Sequence, residues 1–350
     1  MHEIDGSYGE GGGQLVRTSV ALAAITGQSV HLYNIRAKRN HPGLAPQHFT
    51  GVKAVAALCG GTVEGLEAKT REIIFRPGAL RGGEFDFHVG TAGSITLVLQ
   101  AALPVAATCH EPVLMNITGG TDVPAAPPLD YFRYILLPLL LQTGVKAKME
   151  VLCRGYYPRG GGGIVVEVDP SPVFKPSVLD KSRGLAGIRG FAHISNLPAH
   201  ILDRMIASAL MELTQFPAPA IARAELGRDK AIGSGGAILL AADMGNTTLG
   251  ASAVAQRGVP VERLGSVAGQ HLREEILSGA TLDIHASDQV LIYFALAAMD
   301  RYTSSFLAKG LSSHAATAIW LLEQFLPVRF HIAQEGCLVR VDVEAGTAQE

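Results

Sequence analysis

An internal repeat restricts the fold of this chain more than any other feature. Turn signals and apolar periodicity give a strand at 2–7, a helix at 14–26, a strand at 29–35 and a helix at 47–59. "GTVEGLE" and "REIIFRP" follow as a hairpin pair. The same series then returns as strand 84–89, helix 94–107, strand 112–118, helix 128–143 and strands 146–153 and 163–169. First helices open 80 residues apart and second helices 81. A third copy ends the chain. It takes "DQVLIYFALAAM" as first helix, "SSFLAKG" as strand, "SSHAATAIWLLEQF" as second helix, and "RFHIAQE" with "CLVRVDVE" as hairpin. Its first strand is expected near 173–183.

Between these parts, residues 184–276 carry a strand, a helix, two strands and a helix of their own. The C-terminal fragment alone is too short for a stable core, and surface loops tolerate inserted domains. The expected fold is therefore α/β (α+β). Three βαβαββ units form a large domain over 1–183 and 277–350, and a smaller α/β domain over 184–276 is inserted in the third unit. Two unrelated α/β domains in series is the competing reading.

A composition of 48% hydrophobic and 17% charged residues with 40 glycines suits a well-cored chain with many tight turns. No apolar run reaches the roughly 20 residues of a membrane span, and "MHEIDGSYGE" has no basic-then-apolar leader. Cys59, Cys109, Cys153 and Cys337 form no CxxC pair. These features point to a cytoplasmic protein with no membrane attachment, and no stable protein partner is inferred. A net charge of −2 argues against coating of a duplex, but leaves room for a local pocket gripping one chain end.

Equivalent helix starts carry unusual residues: "EGGGQ" (10–14), "PGLAPQH" (42–48), "GTAGS" (90–94), "PAAPPLD" (124–130), "HASDQ" (285–289) and "SSH" (312–314). Gathered around one cleft, six such starts would make an anion site, since helix N-termini present free N–H groups and about half a positive charge. "GEGGGQLVR" permits close backbone approach, with Glu10 beside the loop and Gln14 and Arg17 in the first turn. It is neither a Walker motif nor GxGxxG. Arg36, Lys38, Arg39 and His41 form the most basic stretch, with His48 nearby, and arginine makes forked contacts to phosphate. "RGGGG" (159–163) joins two hairpin strands and reads as a turn. Asp288 is a candidate helix cap or ligand group, and His285 a candidate stacking ring. No histidine lies in HExxH or another short ligand pair, so a metal caged by protein alone is not expected.

His314 fits that cleft. Ser312 or Ser313 can cap its helix, with Ala315, Ile319, Leu322 and Leu326 on the buried side. A positive helix end helps keep the ring neutral near pH 7, and a neutral imidazole next to phosphate-binding N–H groups can attack phosphorus.

Taken together, "DGSYGEGGGQLVRTSVALAAITGQ", "IRAKRNHPGLAPQH", "RPGALRGGEFDFHVGTAGSITLVLQ", "GGTDVPAAPPLD", "DQVLIYFALA" and "FLPVRF" resemble the RNA 3'-terminal phosphate cyclase family over nearly the whole chain, most weakly in 184–276. The resemblance implies an ATP-dependent reaction in three steps. Histidine, here His314, takes AMP from ATP; AMP passes to an RNA 3'-phosphate; and the 2'-OH closes a 2',3'-cyclic phosphate. It further implies repeated βαβαββ units with a smaller inserted domain. Glu10 falls where the family has a carboxylate near the nucleotide phosphates, acting through a divalent cation such as Mg²⁺ or Mn²⁺. Arg17, Arg36, Arg39 and Gln47 fall at phosphate-contacting positions. Gln14, Gln100 and the 285–289 segment, with Asp288 and Gln289, line the ATP site. Pro127 matches a proline on one face of adenine; on the opposite face this chain has His285 where the family commonly has tyrosine. Asp288 would bind ribose or orient His314. Expected partners are ATP and RNA 3'-phosphate ends. Non-catalytic, cyclase-like ribosome-assembly relatives are the alternative, although they lack the histidine present in "SSHAA". A carboxyvinyl transferase, which shares the repeated architecture, is a more distant one.

Overall fold

A computed structural model describes residues 1–346. Its first part runs β1 (His2–Asp5), α1 (Gly13–Thr26), β2 (Val30–Tyr33), α2 (Pro46–Cys59), β3 (Thr62–Glu64) and β4 (Ile73–Arg76). The second part runs β5 (Gly83–His88), α3 (Ile95–Thr108), β6 (Val113–Gly119), α4 (Leu129–Tyr131), a π-helical turn (Phe132–Leu136), α5 (Leu137–Gln142), β7 (Lys146–Cys153) and β8 (Gly162–Asp169). The π turn sits where Pro138 has no amide hydrogen to offer the preceding turn.

Next come β9 (Val178–Leu179), β10 (Gly187–Ser195), α6 (Ala199–Met211), β11 (Ala220–Leu226), β12 (Gly235–Asp243), β13 (Thr248–Val254) and α7 (Val261–Ser278). The last part holds α8 (Ile284–Gln289), α9 (Leu291–Met299), β14 (Ser304–Ala308), α10 (Ser313–Phe325), β15 (Val328–Glu335) and β16 (Leu338–Ala345).

Three four-stranded sheets share one design. Their orders are β1-β2-β4-β3, β5-β6-β8-β7 and β9-β14-β16-β15. In each, the first pair is parallel and the other two pairs are antiparallel. The parallel pair requires a helical crossover, and the hairpin returns antiparallel. The fourth sheet, β11-β10-β12-β13, differs. One face of it packs α6 and α7 in a hydrophobic cluster around Leu202, Leu240, Leu249 and Leu272. Leu239 and Ala241 instead join the larger cluster built by the other three sheets and their helices.

Several details differ from the sequence reading. Residues 184–276 hold a third pairing strand after their first helix: β11, whose alanine-rich, largely exposed residues carry little strand signal. "DQVLIYFALAAM" is the end of α8 followed by α9, because the helical course already starts at Ile284. Asp283, not Asp288, is the cap there, accepting from the His285 and Ala286 amides at 3.0 Å each. The first strand of the third set shrinks to Val178–Leu179.

Candidate active site

A cavity of about 910 Å³ opens where these elements meet. Its lining contains Glu10, Gln14, Arg17, Arg36, Arg39, Gln47, Gln100, Pro127, His285, Asp288, Gln289 and His314, so the structure brings together every residue the resemblance assigns to the site, while Lys38 and His41 of the basic stretch stay outside the lining. Five of the six helix starts contribute at or just before their first turn. The exception is α3. "GTAGS" stays outside the lining, and the helix instead presents Leu97 from the end of its first turn and Gln100 from the second.

His314 stands in the first turn of α10, capped by Ser312, whose Oγ accepts from the Ala315 amide at 2.9 Å. Ala315, Ile319, Leu322 and Leu326 are buried beneath it. The half-buried ring places Nδ1 2.7 Å from Gln14 Oε1 and 3.1 Å from Glu10 Oε2. Both are acceptors, so Nδ1 carries the proton and the Nε2 lone pair is free. No hydrogen-bond partner meets Nε2 among the described residues. Burial lowers the ring's pKa first, and the charges of Arg17 and Arg39 add to it. The leading cause is thus desolvation rather than the helix end invoked from sequence.

Glu10 is anchored from two sides. Its amide donates to Thr317 Oγ1 on α10 at 3.5 Å, and its carboxylate pairs with Arg39. Arg17 lies deeper, buried on α1. It donates to His48 Nδ1 at 3.2 Å and to Gln100 Oε1 at 2.9 Å, while its Nε has no partner. Burial pulls its pKa down only to about 10, so it stays cationic. The network continues from Gln100 to Gln289 at 2.8 Å and from Gln289 to the His285 carbonyl at 2.9 Å. Arg36, with φ +53°, is fixed by donating to the His41 and Gly43 carbonyls at 2.8 Å each. Three guanidinium groups against the carboxyls of Glu10 and Asp288 leave this wall suited to a polyanion. Burial pushes the Asp288 carboxyl up to about 7, with Arg17 opposing.

Pro127 and His285 belong to a second, less polar wall. Tyr131 meets the His285 ring edge-on at 6.2 Å between centroids, and its hydroxyl donates to Asp283 at 2.6 Å. Asp283 also accepts from the Gly250 amide on β13 at 2.9 Å, tying the fourth sheet to this wall.

Sequence reasoning missed three contributors. In the sequence His48 stands out only as a neighbour of the basic stretch. It is buried against Gly13, where an added Cβ would fall 2.0 Å from His48 Nε2, and its pKa is held well below the usual range by burial and by Arg17 and Arg36. Tyr131 and the segment from Ser252 to Val267, including Gln256 and Arg263, also line the cavity. "TLGASAV" and the start of α7 carry no local signal for this, because only tertiary packing turns them toward it.

Among the described residues one buried group has metal-ligand types: Asp122, Asp130 and His193. Arg154 already holds both carboxylates, at 3.2 Å to Asp122 and at 2.7 and 3.0 Å to Asp130. The same two carboxylates lie 3.7 Å from His193 Nε2. This is a structural ion cluster at the junction with β10. No helix of the described residues is long and apolar enough to cross a membrane.

A family profile described as RNA 3'-terminal phosphate cyclase matches residues 8–332. Proteins of that name are similar across almost their whole length. One from Nitrosospira multiformis is 69% identical over 97% of this chain and 96% of its own. One from Methanopyrus kandleri is 42% identical over 97% and 98%, and one from Methanosarcina barkeri 40% over 98% and 100%. By these matches, which agree with the cavity, the free imidazole nitrogen and the arginine wall, the chain belongs to the RNA 3'-terminal phosphate cyclase family.

Proposed function

We propose that the protein converts an RNA 3'-terminal phosphate to a 2',3'-cyclic phosphate at the expense of ATP, with His314 as the covalent carrier of AMP. One observation carries this reading: the His314 ring shares a cavity with Arg17, Arg36 and Arg39, and its Nδ1 proton is engaged by Gln14 and Glu10. Nε2 is therefore the nucleophilic atom.

In the first step the Nε2 lone pair attacks the α-phosphorus of ATP. The bond from that phosphorus to the bridging oxygen breaks, pyrophosphate leaves, and the imidazolium charge is stabilised through Nδ1–H. Arg17, Arg36, Arg39 and Gln47 hold phosphate oxygens in line. The unpaired Arg17 Nε supplies a donor already stripped of water. Next, an oxygen of the RNA 3'-phosphate attacks the same phosphorus, the P–N bond breaks and the ring regains its lone pair. The vicinal 2'-OH then attacks the terminal phosphorus, loses its proton and expels AMP. Adenylation is needed because oxide is a poor leaving group and AMP a good one, while the 2'-OH is already within reach.

Pro127 and His285 both line the cavity and would take adenine between them, with Gln100, Asp288 and Gln289 holding ribose and base edges. Divalent Mg²⁺ or Mn²⁺ suits Glu10, since hard cations take one or two carboxylates plus substrate phosphates, and it would neutralise charge on the leaving pyrophosphate. We also read residues 184–276 as a domain inserted into the third of three repeated units, the large domain being 1–183 with 277–350. The shared order of three sheets supports this reading.

The test is incubation with Mg²⁺ and ATP labelled at the α-phosphate. An acid-labile, alkali-stable protein–AMP adduct, lost in His314→Ala, is expected. RNA bearing a 3'-phosphate should become phosphatase-resistant, and RNA ending in 3'-OH should yield no cyclic product. Absence of the adduct, or cyclisation that persists in His314→Ala, would remove the mechanism. A non-catalytic relative would have no use for an imidazole held in this way.

A further inference from the structure

Just outside the cavity, the loop from Asp5 to Gly11 exposes one large aromatic side chain. Tyr8 is 43% exposed, although its ring stacks on Trp320 with centroids 3.9 Å apart and planes 24° from parallel. One face of the tyrosine is therefore covered by Trp320, and the exposure is shared by what remains: the ring edge, the hydroxyl and the opposite face. The loop is held in place. Ser7 N–H donates to the Asp5 carboxylate at 2.9 Å, Tyr8 N–H to the Asp5 carbonyl at 3.0 Å, and Gly11 N–H to the Tyr8 carbonyl at 2.9 Å. Gly9 and Gly11 take φ +55° and +61° to make that turn. A rigid aromatic ring with one wet face serves poorly as core and well as a platform.

Its position gives the platform a purpose. Tyr8 lies two residues before Glu10, and Trp320 lies six residues after His314 on the same helix. At 1.5 Å per residue the two α10 positions are separated by about 9 Å along the axis, and their roughly 120° offset around the helix lengthens the path, so the span is at least two to three stacked bases at about 3.4 Å each. Neither ring belongs to the cavity lining. Lys38, Arg39 and His41 are exposed on the adjoining segment, and the Lys38 stem packs against Gly11. A stacking face bordered by cations and continuous with the phosphate wall has the chemistry of a single-stranded nucleic acid track.

We propose that Tyr8, backed by Trp320, stacks a base of the RNA strand at least two or three nucleotides upstream of the terminal phosphate, while Lys38 and His41 line its backbone. This assignment rests on the cyclase reading, because it takes the strand to end at His314. It makes Tyr8 a specificity-determining residue that favours strands over mononucleotides.

Trp320 is the single tryptophan of the chain, so its fluorescence reports directly on this stack. Titration with a non-reactive octanucleotide ending in 3'-OH should change Trp320 emission, and inorganic phosphate at equal charge should not. In kinetics, Tyr8→Ala should raise KM for a 3'-phosphorylated octamer by about 5- to 150-fold, the range for one base–aromatic stack. KM for a nucleoside 3',5'-bisphosphate should stay within twofold, and Tyr8→Phe should restore the octamer value. Equal KM changes for octamer and bisphosphate, no change for either, or an unresponsive Trp320 would each overturn the proposal. A different result marks failure of the cyclase reading: octamer-dependent fluorescence with no cyclic product from any 3'-phosphate.

Discussion

Two acceptors compete for a single proton on His314, and that competition predicts an unusual mutational pattern. Gln14 Oε1 lies 2.7 Å and Glu10 Oε2 3.1 Å from Nδ1. A neutral hydrogen bond contributes about 0.5–1.5 kcal/mol net, and one to a charged partner about 1.5–3 kcal/mol. At 1.36 kcal/mol per tenfold in rate, Gln14→Leu should slow adenylation by about 2- to 13-fold, with Glu10 left as acceptor. Glu10→Leu should slow it by about 13- to 160-fold. In the double variant no acceptor remains, so the ring can shift its proton to Nε2 and mask the attacking lone pair. The combined loss should therefore exceed the product of the two single effects. Single-turnover transfer of AMP from α-labelled ATP to the protein measures each rate, and equilibrium ATP binding separates affinity from chemistry. A double variant no slower than Glu10→Leu alone would refute the competing-acceptor geometry.

Other outcomes follow from the same geometry. Because the His314 pKa is lowered from its ordinary value near 6.5, the neutral nucleophile persists on acidification. The adenylation rate should stay flat from pH 8 to below 6.5 and then fall, and Arg39→Ala should move that fall toward higher pH. Asp288, pushed up to about 7, gains its proton just below neutrality; KM for ATP should change through pH 7 in the parent protein and not in Asp288→Asn. Gly13→Ala would drive a methyl into the buried His48 ring and should abolish adenylation, whereas Gly27→Ala meets no atom within 4 Å and should cost only about 1 kcal/mol of strain in a melting experiment. Ser312→Ala removes the α10 cap and should cost about 1 kcal/mol of stability by denaturant titration.

Most of the architecture was legible because the elements obey local rules. In β6 buried residues alternate with half-buried ones along the whole strand, and α1, α2 and α7 end on left-handed Gly27, Gly60 and Gly279. β11 escaped because the alternation of an exposed edge strand is written mostly in alanine, which gives only a faint strand signal. Asp288 reads as a candidate cap because it precedes an apolar run; Asp283 takes the role because α8 begins at Ile284, four residues before Asp288. The gathering of site residues followed from equivalent helix starts, which sequence can locate. The wall drawn from Ser252 to Val267 did not, since contacts between distant segments leave no periodicity. Neutrality of His314 was anticipated, but its main cause, burial, depends on what surrounds the ring.

The Arg154 cluster gives the cavity a fixed width. It joins Asp122 after β6, Asp130 on α4, Arg154 after β7 and His193 on β10, all of them buried. Parting these segments would strand an unmatched charge away from water, at a cost of about 3–5 kcal/mol. Small sliding at this seam is therefore disfavoured, and the fourth sheet behaves as masonry rather than as a door. Entry and exit of nucleotides must then come from rotating side chains and yielding loops at the rim, and heat should melt both hydrophobic clusters in a single step.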